Sequence, residues 1–121
     1  PAADPAVPAA LAGKAVIYLG THDNATAAAA AVILPGAMWA EKAGIFVNRD
    51  GRLQEFKQSV ARQGNAREDW RILAELMNIS GREGAPGSLR AVRIDLNGAV
   101  GGGSDLNQLP ERGFVPGGEV R

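Results

Sequence analysis

The side chains most capable of chemistry in this sequence lie in the short polar stretch Gly20-Thr21-His22-Asp23. The stretch follows an apolar run, and loops at the carboxyl ends of parallel strands are where α/β proteins bind ligands. Gly20-Thr21 would let the backbone approach a phosphate, but the stretch has neither a G-x-G-x-x-G pattern nor a P-loop lysine. A single histidine supports neither a Ser/His/acid triad nor a His-rich metal site. We therefore interpret Thr21, Asp23 or Asn24 as a helix cap and predict no catalytic or metal-ligating residue.

The composition excludes several further kinds of chemistry. The sequence has no cysteine, and its 13 basic residues balance 13 acidic ones. Without cysteine the segment provides no disulfide, no iron–sulfur ligand and no thiol nucleophile. A neutral balance gives no basic field for nucleic acid, and no apolar run approaches the roughly 20 residues that a membrane helix needs. We expect no nucleic-acid partner and no direct membrane insertion.

The length and the glycine and proline content predict one domain with long irregular ends. The 121 residues include 16 glycines and 7 prolines, together well above the average share of about 12%. Residues 1–13 are rich in proline and alanine and are predicted to be a linker, since they lack the basic and apolar regions of a secretory signal. Residues 98–121 are predicted to be an extended tail, with Gly101–Ser104 as a linker and Leu109 and Phe114 as anchors. The start at Pro1 suggests a fragment or a processed piece, although an engineered start would look the same.

A parallel βαβ unit is predicted for the first third of the chain. Ala15–Leu19 is a continuous apolar run between glycines, typical of a strand buried on both faces. Ala25–Ala31 is predicted to be a helix, and Val32–Leu34 a second buried strand that stops at Pro35. The residues between the strands, 20–31, just meet the minimum of about 10–12 for a right-handed crossover.

A β-hairpin and two helices are predicted to follow. Ile45–Val47 and Arg52–Phe56 flank Asn48-Arg49-Asp50-Gly51, in which Asp-Gly is a strong hairpin signal, and Gly36–Lys42 fits one helical turn.

Asn65 and Glu68 form a capping-box pattern, and the acidic pair at 68–69 suits the helix dipole. Apolar residues then recur at helical spacing up to Asn78–Gly81, with Trp70 as a core anchor. Ser88–Asn97 fits both a helix capped by Ser88 and a strand; we choose the helix.

The hairpin and the first of these helices carry a family resemblance. After a strand that ends in Leu34-Pro35, the sequence presents a set of residues in a fixed order: Glu41, Lys42, Gly44, Phe46, Val47, Asn48, Asp50, Gly51, Arg52, Gln54, then Ala66, Asp69 and Trp70. This order resembles the molybdopterin oxidoreductase family over Val16 to Met77. Within that family it is most similar to the branch found in the large iron–sulfur subunits of bacterial NADH–quinone oxidoreductases (respiratory complex I).

Two positions depart from the family pattern. The family usually carries an aspartate where this chain has Ala31, and a small or Thr-Phe-like pair where it has Met38-Trp39. Both changes weaken a polar, cofactor-facing contact near the strand end, while neither breaks the hairpin.

The resemblance implies an α/β fold in which residues 14–97 form the carboxyl-terminal part of a molybdopterin-oxidoreductase-like domain with a larger parallel sheet. It implies a structural and interaction segment that supports electron transfer from NADH to quinone by the whole assembly, with no catalysis by this piece alone. No cofactor is expected in the segment, and iron–sulfur clusters are expected elsewhere in the parent subunit. The expected partners are the rest of that subunit and the other subunits of the complex, on the cytoplasmic side and peripheral to the inner membrane.

Two other functions stay open at this point. In the first, the parent is a molybdopterin-dependent enzyme that resembles formate dehydrogenase, with this segment lining the pterin cleft. In the second, the chain is an independent binding module, for which a cooperative melt is the test; we expect marginal stability, since two parallel strands need cover on both faces.

The motif residues themselves are interpreted as structural. Glycine permits turns where a side chain would clash, and Glu41, Lys42 and Arg52 are expected to form ion pairs that fix the hairpin to the sheet edge. The same structural interpretation covers Gly44, Asn48, Gly51, Gln54, Asp69 and Trp70. The remaining cations alternate with acids and indicate a solvated surface of mixed charge: Arg49, Lys57, Arg62, Arg67, Arg71, Arg82 and Arg90.

Overall fold

The computed structural model describes residues 6–100 and 105–116 and confirms the predicted α/β class. None of the described helices is long and apolar enough to span a bilayer. The elements in chain order are α1 (Ala6–Ala10), β1 (Ile17–Gly20), α2 (Ala25–Ala28), β2 (Val32–Pro35), a 3₁₀ turn (Trp39–Glu41), β3 (Gly44–Val47), β4 (Leu53–Phe56), α3 (Asp69–Ile79) and α4 (Leu89–Val100).

The predicted βαβ unit is present. β1 and β2 pair in parallel, from Ile17 opposite Val32 to Gly20 opposite Pro35. Helix α2 begins after Asn24, whose side-chain oxygen accepts the backbone N–H of Ala27 at 2.9 Å. The helix ends at Ala28 rather than at the predicted Ala31, because the N–H of Ala31 already donates to the carbonyl of Val16 and so joins the sheet.

We expected both strands of the parallel pair to be buried on both faces, and this expectation is wrong. Ile17 is 55% exposed and Ile33 50% exposed. Helix α3 covers one part of the pair, where Leu34, Ile72 and Leu76 line the same groove. In the part of the chain that the structure describes, β1 has no neighbouring strand except β2, so much of its apolar surface stays in contact with solvent.

The predicted β-hairpin is confirmed as the second sheet. β3 and β4 pair antiparallel from Gly44 opposite Phe56 to Val47 opposite Leu53. The rings of Phe46 and Phe56 stack with centroids 4.4 Å apart. A Cβ atom at Gly44 would lie 2.7 Å from the Phe56 ring, so a larger residue would force that ring to shift.

The predicted capping box at Asn65 and Glu68 does not form. Helix α3 begins at Asp69, and the residue before it, Glu68, makes no side-chain cap. The N–H of Arg67 donates to the carbonyl of Pro35 at 3.1 Å, and the carbonyl of Arg67 accepts the N–H of Ala37 at 2.7 Å. These sheet-like bonds keep the backbone extended at residue 67, so the helix cannot start earlier.

The choice of a helix after Ser88 is confirmed. The Ser88 hydroxyl accepts the N–H of Ala91 at 3.1 Å, and α4 continues to Val100, two residues beyond the predicted start of the tail at Gly98. The described tail, residues 105–116, returns to the hairpin and buries Leu106. The predicted linker Gly101–Ser104 lies outside the described residues.

The predicted amino-terminal linker, residues 1–13, contains a short helix instead of only extended chain. α1 covers Ala6–Ala10, within an alanine-rich stretch that favours helix, and proline is tolerated in a first turn. Residues 1–5 lie outside the described ranges.

Candidate functional site

The polar stretch Gly20–Asp23 lies where the topology predicted, at the carboxyl ends of both parallel strands. It borders a cavity of about 200 Å³ lined by Tyr18, Gly20, Thr21, His22, Asp23, Ile33 and Pro35. The Tyr18 hydroxyl donates to the carbonyl of His22 at 2.9 Å and accepts from the Asn24 amide at 2.8 Å. Thr21 Oγ1 and His22 Nδ1 lie 2.7 Å apart. The polar atoms of this loop therefore bind mainly one another.

The polar groups of Tyr18 and Asn24 beside this loop are used within the chain. A Cβ atom at Gly20 would collide with the Tyr18 ring and hydroxyl, so the glycine accommodates a side chain of the same chain rather than a ligand. A pterin needs several free donors and acceptors, whereas those of Tyr18 and Asn24 are already used to close and cap the loop. Within residues 6–100 and 105–116, no three His, Asp or Glu side chains converge as a metal site.

Glu41 is the most buried acidic residue of the family motif, with 6% of its surface exposed. Its carboxylate accepts the backbone N–H of Met38 at 2.9 Å and that of Gln63 at 3.1 Å. The expected ion pair of Glu41 with a neighbouring cation is therefore wrong. The carboxylate instead ties the 3₁₀ turn to the segment that follows the hairpin, because two backbone donors there have no other acceptor in regular structure.

Lys42 and Asp69 form an ion pair that joins the two halves of the motif. Lys42 precedes β3, whereas Asp69 is the first residue of α3 and suits the positive end of that helix. A Cβ atom at Gly36 would lie 2.8 Å from the Asp69 carboxylate, so a glycine at the end of β2 lets the carboxylate approach. The strand end, the hairpin and the helix thus meet at one charged contact.

Arg52 was expected to form an ion pair, and this expectation is also wrong. Its guanidinium donates to the carbonyl of Arg112 at 3.0 Å, which fastens the tail to the hairpin. Next to it, the Asn48 side chain accepts the N–H groups of Asp50 and Arg52, each at 2.9 Å. Gly51, with a φ of +77°, supplies the left-handed residue of this loop.

Trp70 and Gln54 complete the motif. Trp70 is half-buried, its indole Nε1 is enclosed without a hydrogen-bond partner, and the Arg71 guanidinium lies 5.2 Å from the ring centroid. Gln54 is exposed on β4 and lies beside Gly113, where an added Cβ atom would be 2.8 Å from its Cγ. Both residues pack against this chain's own segments.

Three residues that hold the hairpin side together were not predicted from the sequence. Arg93 on α4 is buried and pairs with Glu55 of β4 at 2.8 Å. Leu106 is buried in the returning tail, and its N–H donates to the Asn97 side chain at 2.9 Å. Gly113 allows Phe114 to pair with Leu53. The available signal was the helical spacing of Leu89, Val92 and Leu96, which includes position 93 on the same side.

Of the two predicted tail anchors, Phe114 is the stronger. It exchanges two backbone hydrogen bonds with Leu53, of 2.6 and 2.9 Å. Leu109 is half-buried and lines an open cavity beside Glu55 and Lys57. The tail therefore forms an isolated antiparallel bridge at the outer edge of β4.

Comparison with known proteins agrees with this arrangement. The model of the molybdopterin oxidoreductase family matches residues 10–79. The chain is 42% identical over 64 residues to the NADH-ubiquinone oxidoreductase 75 kDa subunit of Reclinomonas americana, which is 53% of this chain and 9% of that protein. It is 44% identical over 61 residues to the mitochondrial NADH-ubiquinone oxidoreductase 78 kDa subunit of Candida albicans, which is 50% of the chain and 8% of the relative.

A bacterial relative extends the match. An NADH-quinone oxidoreductase subunit of Rickettsia conorii is 40% identical over 81 residues, which is 67% of this chain and 12% of that protein. The chain thus spans about a tenth of the length of the curated relatives that it matches. Because the family model covers more than half of the chain and both halves of its motif, the chain belongs to the molybdopterin oxidoreductase family.

Proposed function

We propose that this chain is a structural and interaction segment of the large iron–sulfur subunit of a respiratory NADH–quinone oxidoreductase. The observation that carries the proposal is the sequence identity of 40–44% to subunits of NADH–quinone and NADH–ubiquinone oxidoreductases from a bacterium and from eukaryotes. The segment supports electron transfer from NADH to quinone by the assembly and performs no chemistry of its own.

The geometry of the motif supports a structural role. The Glu41 carboxylate accepts two backbone N–H groups, and Lys42 forms an ion pair with Asp69. The Arg52 guanidinium donates to a carbonyl of the tail. A group that acts on a substrate needs a free donor, acceptor or nucleophile facing a cavity. These motif groups face other parts of the same chain, so their work is to fix the hairpin region to α3, to the segment that follows the hairpin and to the tail.

The cofactors and partners follow from the same proposal. The chain has no cysteine, so the iron–sulfur clusters of the subunit are held by residues outside it. The partners are the rest of the subunit and the other subunits of the complex. The whole subunit, which we call the parent polypeptide, lies on the cytoplasmic side and is attached to the inner membrane through those other subunits.

The direct test is purification of the parent polypeptide from its own cells, followed by iron, molybdenum and pterin analysis and an assay of NADH oxidation by quinone. We expect iron and co-purifying NADH–quinone oxidoreductase activity. Stoichiometric molybdenum and pterin would replace the proposal with the molybdopterin-dependent alternative, in which the segment lines the pterin cleft.

A second experiment separates a structural from a catalytic role. In the parent polypeptide, Lys42→Met removes the contact between hairpin and helix, and we expect less assembled complex with unchanged turnover per assembled complex. Arg67→Met is the control, because its ion pair with Glu75 is exposed on both sides. A loss of turnover per complex in the Lys42 variant alone would contradict the structural role.

A further inference from the structure

The sequence contains two pairs in which an acidic or amide side chain directly precedes a glycine, Asp50-Gly51 and Asn97-Gly98. In such a pair the glycine nitrogen can attack the side-chain Cγ and close a succinimide ring, because glycine has no Cβ to obstruct the approach. In an unfolded chain the asparagine reacts faster, since a carboxylate must first take up a proton before one of its oxygens can leave. The fold therefore decides which pair is modified.

The fold protects the asparagine pair. Gly98 lies inside α4, where each backbone N–H donates to the carbonyl four residues earlier. The side-chain oxygen of Asn97 also accepts the N–H of Leu106 at 2.9 Å. Ring closure at Asn97 would break both the helix and this contact with the tail.

The aspartate pair has no comparable protection. Asp50 is exposed in the loop between β3 and β4, and within the described part of the chain its carboxyl group has no ion pair or hydrogen bond. A Cβ atom at Gly51 would meet nothing within 4 Å, so the space around the glycine is open. One exposed turn bond, from the Gly51 N–H to the carbonyl of Asn48 at 3.1 Å, holds the attacking nitrogen. Ring closure here costs a single turn bond.

We propose that Asp50 is a site of spontaneous isomerisation, with the Gly51 nitrogen as nucleophile and water as the only co-reactant. The nitrogen bonds to Cγ of the protonated carboxyl group, whose hydroxyl leaves as water with the amide proton. Water then opens the ring. Cleavage of the bond from nitrogen to Cγ restores aspartate, whereas cleavage of the bond to the main-chain carbonyl carbon leaves isoaspartate. The inference is independent of the proposed function, because it uses only the hairpin loop.

Isoaspartate would change the contacts of this loop. It adds one carbon to the main chain between positions 50 and 51. The Asn48 side chain accepts the N–H groups of Asp50 and Arg52, each at 2.9 Å, and the added carbon lies between these two donors. The Arg52 guanidinium in turn holds the carbonyl of Arg112. We therefore expect isomerisation to loosen the tail from the hairpin.

Site-resolved mass spectrometry tests the choice of site. The purified parent polypeptide is stored at neutral pH, and isoaspartate is labelled with an isoaspartyl-specific methyltransferase before peptide analysis. We expect at least fivefold more isoaspartate at position 50 than at position 97. No isoaspartate at position 50, or at least as much at position 97, would overturn the proposal.

The same measurement in concentrated urea tests the role of the fold. Unfolding removes the helix around Gly98, so the order should reverse and Asn97 should be modified first. An order that stays the same in urea would also overturn the proposal, because the fold would then not select the site.

A matched pair of conservative substitutions links the modification to the tail. Asp50→Glu keeps the charge but would need a larger, slowly forming ring, and Asp95→Glu changes an exposed aspartate of α4 that precedes a leucine. After storage, the Leu53 amide, which donates to the carbonyl of Phe114, should exchange at least tenfold faster in the isomerised fraction of the wild type and of Asp95→Glu. Asp50→Glu should show neither isoaspartate in the loop nor faster exchange. Equally faster exchange in stored Asp50→Glu would contradict the proposed effect of the modification.

Discussion

The two sheets of this protein have equal numbers of short strands but are covered to different extents. In the hairpin, Leu53 of β4 forms an isolated β-bridge with Phe114 of the tail, and Glu55 forms an ion pair with Arg93 of α4. The parallel pair contains only apolar residues, tyrosine and glycine, yet its isoleucines are about half exposed.

The difference follows from how each sheet is connected. A hairpin needs only a short loop, so β3 and β4 form from adjacent residues, and a tail a few tens of residues away completes them. A parallel sheet needs crossovers and cover on both faces, which two strands do not provide. Leu53 of β4 is therefore covered within this chain, whereas Ile17 and Ile33 of the parallel pair are about half exposed. Strand β3 is open as well, since Phe46 is 53% and Val47 63% exposed.

The largest expected effect concerns the core. Leu53 is 4% exposed on β4, whereas Ile33 on β2 is 50% exposed. In the chain alone, Leu53→Ala should lower the free energy of unfolding by about 3 kcal/mol and Ile33→Ala by about 1 kcal/mol or less. Urea denaturation of both variants measures this difference. Equal losses would mean that the parallel pair is as well packed as the hairpin.

A somewhat smaller effect is expected at the tail. Gly113 has a φ of +80°, and a Cβ atom there would lie 2.5 Å from the carbonyl oxygen of Leu53. Gly113→Ala should cost about 2 to 3 kcal/mol and release Phe114 from β4, because it adds a backbone clash to the left-handed strain. Gly81→Ala, at a φ of +75° with open space around it, should cost about 1 kcal/mol from strain alone. Denaturation and the exchange rate of the Leu53 amide distinguish the two variants.

Two ion pairs sharpen the comparison further. The Arg93 side chain is 10% exposed in its pair with Glu55, while Arg67 and Glu75 are both more than half exposed. A double-mutant cycle should give a coupling of about 1 kcal/mol for Arg93 and Glu55 and about 0.3 kcal/mol for Arg67 and Glu75. The ranking should persist at high salt, which screens the exposed pair more strongly. A reversed ranking would show that α4 is not fixed to the hairpin.

The smallest expected effect is at the start of the returning tail. A hydrogen bond from the backbone N–H of Asn107 holds the pKa of the Asp105 carboxyl below its ordinary value. Because the folded-state pKa is the lower one, this stabilisation is present above the ordinary pKa and disappears as the pH falls through the folded value. NMR titration of Asp105 measures the shift, and unfolding with concentrated urea should restore the ordinary value. An unchanged titration on unfolding would show that the turn does not form.

The hairpin and the helices could be predicted from the sequence because their signals are local. Asp50-Gly51 marks the loop, Asn24 and Ser88 cap their helices, and apolar spacing marks α3. Contacts between distant segments carried no such signal. The hydrogen bond from Arg67 to Pro35 keeps the backbone extended there, so α3 starts later than predicted. The Glu41 carboxylate, which was expected to pair with a cation, instead accepts the backbone N–H groups of Met38 and Gln63.

By itself, the sequence determined the α/β class, the order of the elements from β1 to α4 and the family, because helix caps, turn residues and the motif order depend on neighbours along the chain. Only the tertiary structure decided what each motif side chain contacts, and which strands are covered. The physical reason is that burial and long-range hydrogen bonds depend on which segments meet in space. Apolar strands predict that something covers them, whereas the structure shows that β4 is covered by this chain's own tail and that, among the described residues, β1 is left open.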